Sequence, residues 1–239
     1  MHPITAHDSV RRDVVVLVPA AGFGTRLGPG LPKALRHVAG ASLLAHAVGR
    51  VATAPSVGCV VVAAPAGSAA QVRETLGTYP GTTVVVVEGG ATRQESVAAA
   101  LAAAPAEFAI VLVHDAARAF APAELVERVA AAVRDGQDAV IPVLPVVDTI
   151  KQVDPDGYVT GTPPRASLRA VQTPQGFRRS VLEQAHANAA GEATDDAALV
   201  ERLGLRVFCV PGSEAALKIT RPADLTAAEA LAAEPGPLG

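Results

Sequence analysis

The chain has 239 residues, half of them hydrophobic, and a formal net charge of only −3. This length allows one sizeable core, and the absence of a strongly basic stretch argues against a nucleic-acid partner. No apolar run reaches the roughly 18 residues of a membrane span, and the polar first residues lack the apolar segment of a secretory signal. We therefore expect a cytoplasmic protein with no nucleic-acid or membrane partner. Cys59 and Cys209 both lie in valine-rich runs and are predicted to be buried core thiols.

The first predicted strand, residues 14–18, leads directly into a glycine-rich loop. Four valines and a leucine predict a buried strand. The loop that follows has four glycines, Arg26, Pro32 and Lys33. Glycines let backbone N–H groups approach an anion and the two cations supply charge, which favours a nucleoside triphosphate site. The loop lacks the P-loop signature and is one residue too long for the dinucleotide fingerprint. The alternative is a Gly/Pro-rich surface turn.

Lysine usage adds a second indication. Only three of the 20 basic residues are lysines, namely Lys33, Lys151 and Lys218. The other basic residues are all arginines. Lysine would be retained where a site needs its compact ammonium group rather than the planar guanidinium of arginine. Lys33 and Lys218 are therefore candidate catalytic residues. The alternative is that three lysines remain by chance.

Helices and strands then alternate along the chain. Ser42 has the position of a helix N-cap, and a further helix is predicted over residues 68–76. Strands are predicted at residues 57–63, 83–87, 108–113 and 138–143, with a helix at 122–134 before the last of them. This alternation predicts an α/β fold with a Rossmann-like, doubly wound and mainly parallel sheet.

Two strand ends carry candidate ligand groups. Gly89 and Gly90 precede a helix whose start is marked by the capping-box pair Thr92 and Glu95. Such a turn could bind an anion or the edge of a nucleobase. The alternative is an ordinary connection between a strand and a helix. Asp115 follows the fourth strand, where open α/β sheets bind ligands, and it could hold Mg²⁺ against a triphosphate. Its alternative role is a helix N-cap, and we interpret the neighbouring His114 as structural.

The regular alternation breaks after residue 145. Residues 146–153 alternate like an edge strand, residues 154–157 form a hairpin turn, and residues 158–160 return. An isolated hairpin is marginally stable in water, so this protruding arm, residues 146–168, must pack on something. We predict a homodimer with interlocked arms; the alternative is a hairpin folded onto its own domain.

The rest of the chain returns to the sheet. A strand is predicted over 168–177, followed by a helix to 190, a helix that Thr194 could cap, a strand over 206–210 and a helix to 233. With no repeats and no long linker, residues 1–239 are predicted to form one domain. Residues 1–12 are expected to be a flexible N-terminus, and the tail from 234 to be frayed.

Taken together, these motifs resemble the 2-C-methyl-D-erythritol 4-phosphate cytidylyltransferases of the non-mevalonate isoprenoid pathway, a family of nucleotidyltransferases. The resemblance covers residues 14–225. The motifs are A-A-G-x-G-T-R-L-G-x-x-x-P-K at residues 20–33, Gly89-Gly90, Arg93, Ser96, His114-Asp115-Ala116-Ala117-Arg118, Asp148-Thr149, Thr173-Pro174-Gln175, Thr194-Asp195 and Lys218-Ile219-Thr220-Arg221-Pro222 with Asp224-Leu225.

The resemblance implies transfer of CMP from CTP to 2-C-methyl-D-erythritol 4-phosphate, with pyrophosphate released and Mg²⁺ at Asp115. The implied CTP site contains Ala20, Ala21, Gly22, Phe23, Gly24, Gly90, Arg93, Ser96, Asp115 and Ala116. The implied catalytic cations are Arg26, Lys33, Lys218 and Arg165. The implied polyol phosphate site contains Thr149, Arg165, Thr173, Thr194 and Lys218, with Thr149 and Arg165 supplied by the partner's arm. Ala91 departs from the acidic residue that some family members carry next to the base.

Other functions remain open at this stage. Ribitol-5-phosphate cytidylyltransferase uses the same scaffold and chemistry. The arm and the Lys-Ile-Thr-Arg-Pro stretch argue against a molybdopterin cytidylyltransferase or a sugar-1-phosphate enzyme. A non-catalytic nucleotide-sensing module is disfavoured because Arg26, Lys33 and Lys218 are all present.

Overall fold

The computed structural model describes residues 11–22 and 32–233. Three residues of the predicted site, Phe23, Gly24 and Arg26, lie outside the described residues. The predicted frayed tail and most of the predicted flexible N-terminus lie outside them as well.

Twelve strands and seven helices make up the described part of the chain. The strands are β1 (Val14–Pro19), β2 (His37–Val38), β3 (Ala41–Ser42), β4 (Val57–Ala64), β5 (Thr83–Glu88), β6 (Ile110–Val113), β7 (Ala139–Pro145), β8 (Gln152–Val153), β9 (Val159–Gly161), β10 (Arg169–Val171), β11 (Gln175–Arg178) and β12 (Val207–Pro211). The helices are α1 (Leu43–Ala52), α2 (Ala69–Thr75), α3 (Arg93–Ala103), α4 (Ala123–Arg134), α5 (Arg179–Ala187), α6 (Asp196–Arg202) and α7 (Ala223–Ala233).

The central sheet is mainly parallel, as predicted. Strands β5, β4, β1 and β6 lie side by side and run in one direction. Strand β11 lies antiparallel between β6 and β7, so β6 and β7 also share a direction. Strand β12 pairs parallel with β7, and β10 pairs antiparallel with β7. The strand predicted over 168–177 is therefore two short strands, β10 and β11.

Helices cover both faces of the sheet, and the alternation of side chains along β1 shows how. Val14, Val16 and Val18 join an apolar cluster with residues of α1, α2 and α4. Val15 and Leu17 face the other way and join a cluster with residues of α3, α5 and α6. Successive side chains of a strand point to opposite faces, and β1 is buried on both. The predicted doubly wound architecture is confirmed.

Side-chain hydrogen bonds cap the starts of α1 and α6. The Ser42 side chain accepts from the Ala45 N–H, as expected of an N-cap. The cap of α6 is Asp195, whose carboxylate accepts from the Ala198 N–H at 2.9 Å. The alternative that Thr194 caps this helix is wrong, because the carboxylate of Asp195 accepts the third helical N–H.

The two cysteines differ in environment. Cys59 lies on the central strand β4, where burial raises the pKa of its thiol to about 11. Cys209 is exposed, so its predicted burial was wrong. The reason is topological: β12 pairs with β7 alone among the described strands, and this leaves one side of β12 without a sheet neighbour.

The arm contains the predicted hairpin, but its first strand is only β8 (Gln152–Val153) and does not extend over residues 146–153 as predicted. Strands β8 and β9 pair with each other and lie outside the central sheet. The turn is held by Asp154, whose carboxylate accepts from the N–H groups of Asp156 and Tyr158 at 3.1 and 2.8 Å. The Val147 side chain is 78% exposed and Tyr158 is 74% exposed. Among the described helices, none has the length and apolar character needed to cross a membrane.

Candidate active site

A main cleft opens beyond the carboxyl ends of β1, β5 and β6, where parallel sheets bind ligands. It includes every predicted nucleotide-site residue that the structure describes, together with Lys33, Ala91, Thr92 and Lys218. Those predicted residues are Ala20, Ala21, Gly22, Gly90, Arg93, Ser96, Asp115 and Ala116. Residues far apart in sequence therefore line one cavity.

A side cleft adjoins the main cleft. Arg93, Asp115 and Lys218 line both clefts. The side cleft also includes Thr173 and Thr194, two of the residues predicted to bind a polyol phosphate. The three shared residues thus form the boundary between a predicted nucleotide site and a predicted acceptor site.

The turn after β5 is fixed by the start of α3. Thr92 and Glu95 form the predicted capping box, with hydrogen bonds of 3.1 and 3.0 Å. The buried Ser96 hydroxyl donates to the Thr92 carbonyl at 2.8 Å and accepts from the Gly90 N–H at 3.2 Å. Ser96 therefore holds the backbone of this turn in place beside the cleft.

Gly89 is required by a close approach between two loops of the cleft. Its N–H donates to the Ala64 carbonyl at 2.7 Å. A Cβ atom at this position would lie only 2.7 Å from the Ala21 Cβ. A larger residue would push the turn away from the loop that follows β1.

Asp115 is the electrostatic centre of the site. Its Oδ1 lies 3.2 Å from Arg93 Nε, and its Oδ2 lies 2.8 Å from Lys218 Nζ. Burial alone would raise the pKa of Asp115, but the positive charges of Arg93 and Lys218 outweigh it and hold that pKa well below its usual range. Asp115 is therefore ionised at physiological pH and binds two cations.

Arg93, the first residue of α3, bridges two carboxylates. Besides Asp115, its Nη1 contacts Asp196 Oδ2 at 2.7 Å. Asp196 is 1% exposed and also lies 3.0 Å from His186 Nε2. Burial alone would lower the pKa of Arg93, but the two carboxylates outweigh burial and raise it. The guanidinium is consequently always charged.

Thr173 binds the backbone of Asp115, and His114 contacts Thr173 in turn. The Asp115 N–H donates to Thr173 Oγ1 at 2.9 Å, and this hydroxyl lies 3.2 Å from His114 Nδ1. His114 is fully buried, and burial lowers its pKa to about 4. His114 is therefore neutral at physiological pH, in agreement with a structural role.

Arg118 brings the segment that carries Lys218 to the site. Its Nη1 donates to the Ala216 carbonyl at 2.7 Å, and its Nη2 donates to the Val171 carbonyl at 3.0 Å. The buried Ile219 donates its N–H to the Ala117 carbonyl at 2.9 Å. These bonds join three distant segments at the side cleft.

Sequence reasoning assigned no role to Arg118, Asp196 or His186. Arg118 could have been noticed because it closes the same short motif as Asp115. Asp196 and His186 carry no such local signal. Their contacts depend on how α5 and α6 pack near the start of α3.

Two predicted acceptor-site residues lie elsewhere in the chain. Thr149 and Arg165 belong to the arm and line neither cleft. Arg165 donates to the Val147 carbonyl at 2.6 Å within the arm. A single chain therefore does not bring them to Asp115 and Lys218.

Residues 14–234 match the family model described as "IspD: 2-C-methyl-D-erythritol 4-phosphate cytidylyltransferase". The chain belongs to this family. The Saccharopolyspora erythraea protein of that name is 55% identical over 223 residues, which span 92% of this chain and 99% of the relative. The Streptomyces coelicolor protein of the same name is 51% identical over 226 residues, which span 91% of this chain and 84% of the relative.

Solved structures of the family have the same fold. The 2-C-methyl-D-erythritol 4-phosphate cytidylyltransferase of Thermus thermophilus superposes with a TM-score of 0.75 at 43% identity. The match covers 92% of this chain and 98% of that structure. The resemblance found in the sequence is thereby confirmed, together with the α/β fold class.

Proposed function

We infer that this protein transfers CMP from CTP to 2-C-methyl-D-erythritol 4-phosphate and releases pyrophosphate. The observation that carries this inference is the boundary between the clefts, where Arg93, Asp115 and Lys218 line both cavities. A nucleotide in the main cleft and a phosphate in the side cleft would meet at these charges. Family membership supplies the identities of the two substrates.

The reaction needs positioning and charge neutralisation more than proton transfer. A phosphate oxygen of the polyol phosphate attacks the α-phosphorus of CTP and forms a new P–O bond. The bond between the α-phosphorus and the bridging oxygen to the β-phosphate breaks, and pyrophosphate leaves with that electron pair. The nucleophile is already an anion, so no general base is required. The barrier lies in bringing two polyanions together.

The described residues supply this neutralisation in a fixed arrangement. Lys218 is 44% exposed and extends between the clefts, where it can contact the acceptor phosphate and the α-phosphate. Asp115 holds Lys218 and Arg93 in place before substrate arrives. Lys33 begins a short 3-10 turn at the main cleft and adds a further cation. We assign Arg26, in the same loop, to the triphosphate.

The donor chemistry fits a magnesium ion that arrives with the triphosphate. Mg²⁺ prefers one or two carboxylates together with phosphate oxygens and water. Asp115 offers one ionised carboxylate, whose oxygens keep further lone pairs beside their contacts with Arg93 and Lys218. No group of three His, Cys, Asp or Glu side chains within the described residues could hold a metal alone. We propose Asp115 as its protein ligand. When bound, the ion would neutralise charge on the triphosphate oxygens.

We also propose a homodimer in which the arm completes the partner's acceptor site. The arm exposes Val147, Tyr158 and other apolar side chains to solvent, and burying them on a second copy would be favourable. Arg165 and Thr149 lie on this arm, outside their own chain's clefts. A second copy could supply both to the polyol phosphate.

Because the reaction uses CTP, a cytoplasmic metabolite, we propose a cytoplasmic location.

Pyrophosphate release tests the proposed function. The purified protein is incubated with Mg²⁺ and CTP, with 2-C-methyl-D-erythritol 4-phosphate, ribitol 5-phosphate or no acceptor. We expect release with the methylerythritol phosphate, little with ribitol phosphate, and none without acceptor or with excess EDTA. Faster release with ribitol phosphate would reassign the acceptor, and no release with any acceptor would favour a nucleotide sensor.

A further inference from the structure

A buried carboxylate lies behind Arg93, away from both clefts. Asp196 begins α6 and is 1% exposed. One of its oxygens binds Arg93 Nη1 at 2.7 Å, and the other lies 3.0 Å from His186 Nε2 on α5. Asp196 itself lines neither cleft, although Thr194 and Asp195 before it line the side cleft, and its side chain contacts the boundary between the clefts through Arg93.

The Arg93 guanidinium is divided between two acceptors. An arginine facing one carboxylate commonly binds it through two parallel N–H groups. Here Nε goes to Asp115 and Nη1 goes to Asp196. Asp115 therefore keeps its second oxygen for Lys218, at 2.8 Å.

This division leaves part of the guanidinium for a ligand. No hydrogen bond within the described residues uses Arg93 Nη2. The side chain is 31% exposed and lines both clefts. A partly exposed, permanently charged planar group with a remaining N–H edge suits a phosphate oxygen.

We propose that Asp196, supported by His186, is a positioning residue that divides the Arg93 guanidinium between two carboxylates and so keeps its remaining edge available to phosphate. This proposal rests on the proposed function of the clefts. Without the charge of Asp196, Arg93 turns toward Asp115 and binds it through two N–H groups. Lys218 then loses its place on Asp115, and the Arg93 guanidinium is held by Asp115 and no longer available to phosphate.

The first experiment is Asp196→Asn, which keeps the size of the side chain and removes its charge. Hydrogen bonds to charged groups are among the stronger ones in proteins. We therefore expect kcat/KM for the polyol phosphate to fall about tenfold or more. Binding of inorganic pyrophosphate, measured by calorimetry, should weaken in parallel. This second readout needs no turnover, so it separates failure of this proposal from failure of the proposed function.

A double-mutant cycle shows whether Asp196 acts through Arg93. Arg93→Lys removes the planar group, and Asp196→Asn in that background should change kcat/KM by less than about twofold. Wild-type kinetics and pyrophosphate binding in the Asp196→Asn single variant would overturn the proposal. An undiminished further loss on top of Arg93→Lys would overturn it as well.

A matched control and a second variant pair separate positioning from folding. Asp13→Asn makes the same change in an ion pair with Arg134 at 2.7 Å, before β1 and outside both clefts, and should leave both readouts unchanged. If Asp196→Asn does not fold, His186→Leu removes the support of Asp196 and His186→Gln retains a donor. We expect the leucine variant to lose activity and pyrophosphate affinity and the glutamine variant to retain most of both. Wild-type values for the folded leucine variant, or equal losses in both, would contradict the proposal.

Discussion

One chain forms the charged centre of the clefts by itself, whereas its arm keeps apolar side chains exposed. At the boundary between the clefts, Asp115 binds Arg93 and Lys218, and Asp196 binds Arg93 from behind. The arm has two short strands that pair with each other, and it exposes Val147 and Tyr158. Folding of one chain thus organises the charges for the nucleotide, whereas the arm has apolar surface left to bury. We infer that transfer chemistry depends on one subunit's cleft and acceptor binding on two subunits.

Loss of Lys218 should have the largest effect on the cleft. Lys218→Ala removes a cation that lines both clefts, so we expect kcat to fall by at least ~10²-fold, the scale of losing one transition-state donor. KM for the polyol phosphate should also rise. Steady-state pyrophosphate release measures both, and Lys218→Arg should recover part of the rate. A rise in the KM for CTP alone would show that Lys218 acts elsewhere.

The buried His114, next to Asp115, should make stability depend on pH. Burial lowers the pKa of His114 to about 4, against 6.5 for the ordinary side chain. The unfolded chain therefore binds a proton more readily, and stability falls as the pH drops from about 6.5 to about 4. The expected loss is about 3 kcal/mol. Urea unfolding at several pH values measures it.

The variant His114→Asn removes this titration. Its stability at neutral pH can be lower because a buried side chain is changed. The decisive quantity is the slope of stability against pH between about 6.5 and 4, which should become flatter. An unchanged slope would mean that another group causes the acid loss.

The arm can be tested by complementation between two impaired proteins. Arg165→Ala should lower kcat/KM for the polyol phosphate about tenfold or more, because it removes a charge that we propose for the partner's acceptor site. In a heterodimer of Arg165→Ala and Lys218→Ala chains, one of the two sites is intact if Arg165 acts across the interface. Random assortment makes about half of the dimers heterodimers, so activity should return to about one quarter of wild type.

Subunit exchange before the assay is required for this recovery. The variant Tyr158→Asp, which places a charge on the exposed apolar arm, should shift the protein from dimer to monomer in sedimentation. It should weaken acceptor use while leaving CTP binding unchanged. Failure of the mixed chains to recover activity after verified exchange would indicate that each chain completes its own site.

The smallest expected effect concerns the close contact between the loops of the main cleft. A Cβ at Gly89 would lie 2.7 Å from the Ala21 Cβ, so Gly89→Ala should displace the turn after β5. We expect KM for CTP to rise several-fold with a smaller change in KM for the acceptor. Gly77→Ala is a matched control, because a Cβ there meets only Tyr79 atoms at 3.8 Å. An equal rise in the KM for CTP in both variants would show that the contact at Gly89 does not position the turn.

Much of this protein follows from local sequence patterns. Buried strands were recognisable as valine runs, the start of α3 as the Thr92–Glu95 capping box, and the hairpin turn as residues 154–157. These patterns are readable because helix caps, turns and side-chain alternation depend on residues within about four positions of one another. The position of Asp115 at the end of a parallel strand also followed from chain order.

Only the tertiary structure decided which charges meet. Arg93 and Asp196 are 103 residues apart, and their contact depends on how α6 packs near the start of α3. The exposure of Cys209 likewise depends on the edge position of β12 in the sheet. A sequence pattern reports a residue's own segment, whereas an ion pair or a sheet edge depends on which segments become neighbours. The sequence alone therefore determined the elements and the candidate residues, and packing determined that Asp115 joins Arg93 to Lys218 while Arg165 stays outside the clefts of its own chain.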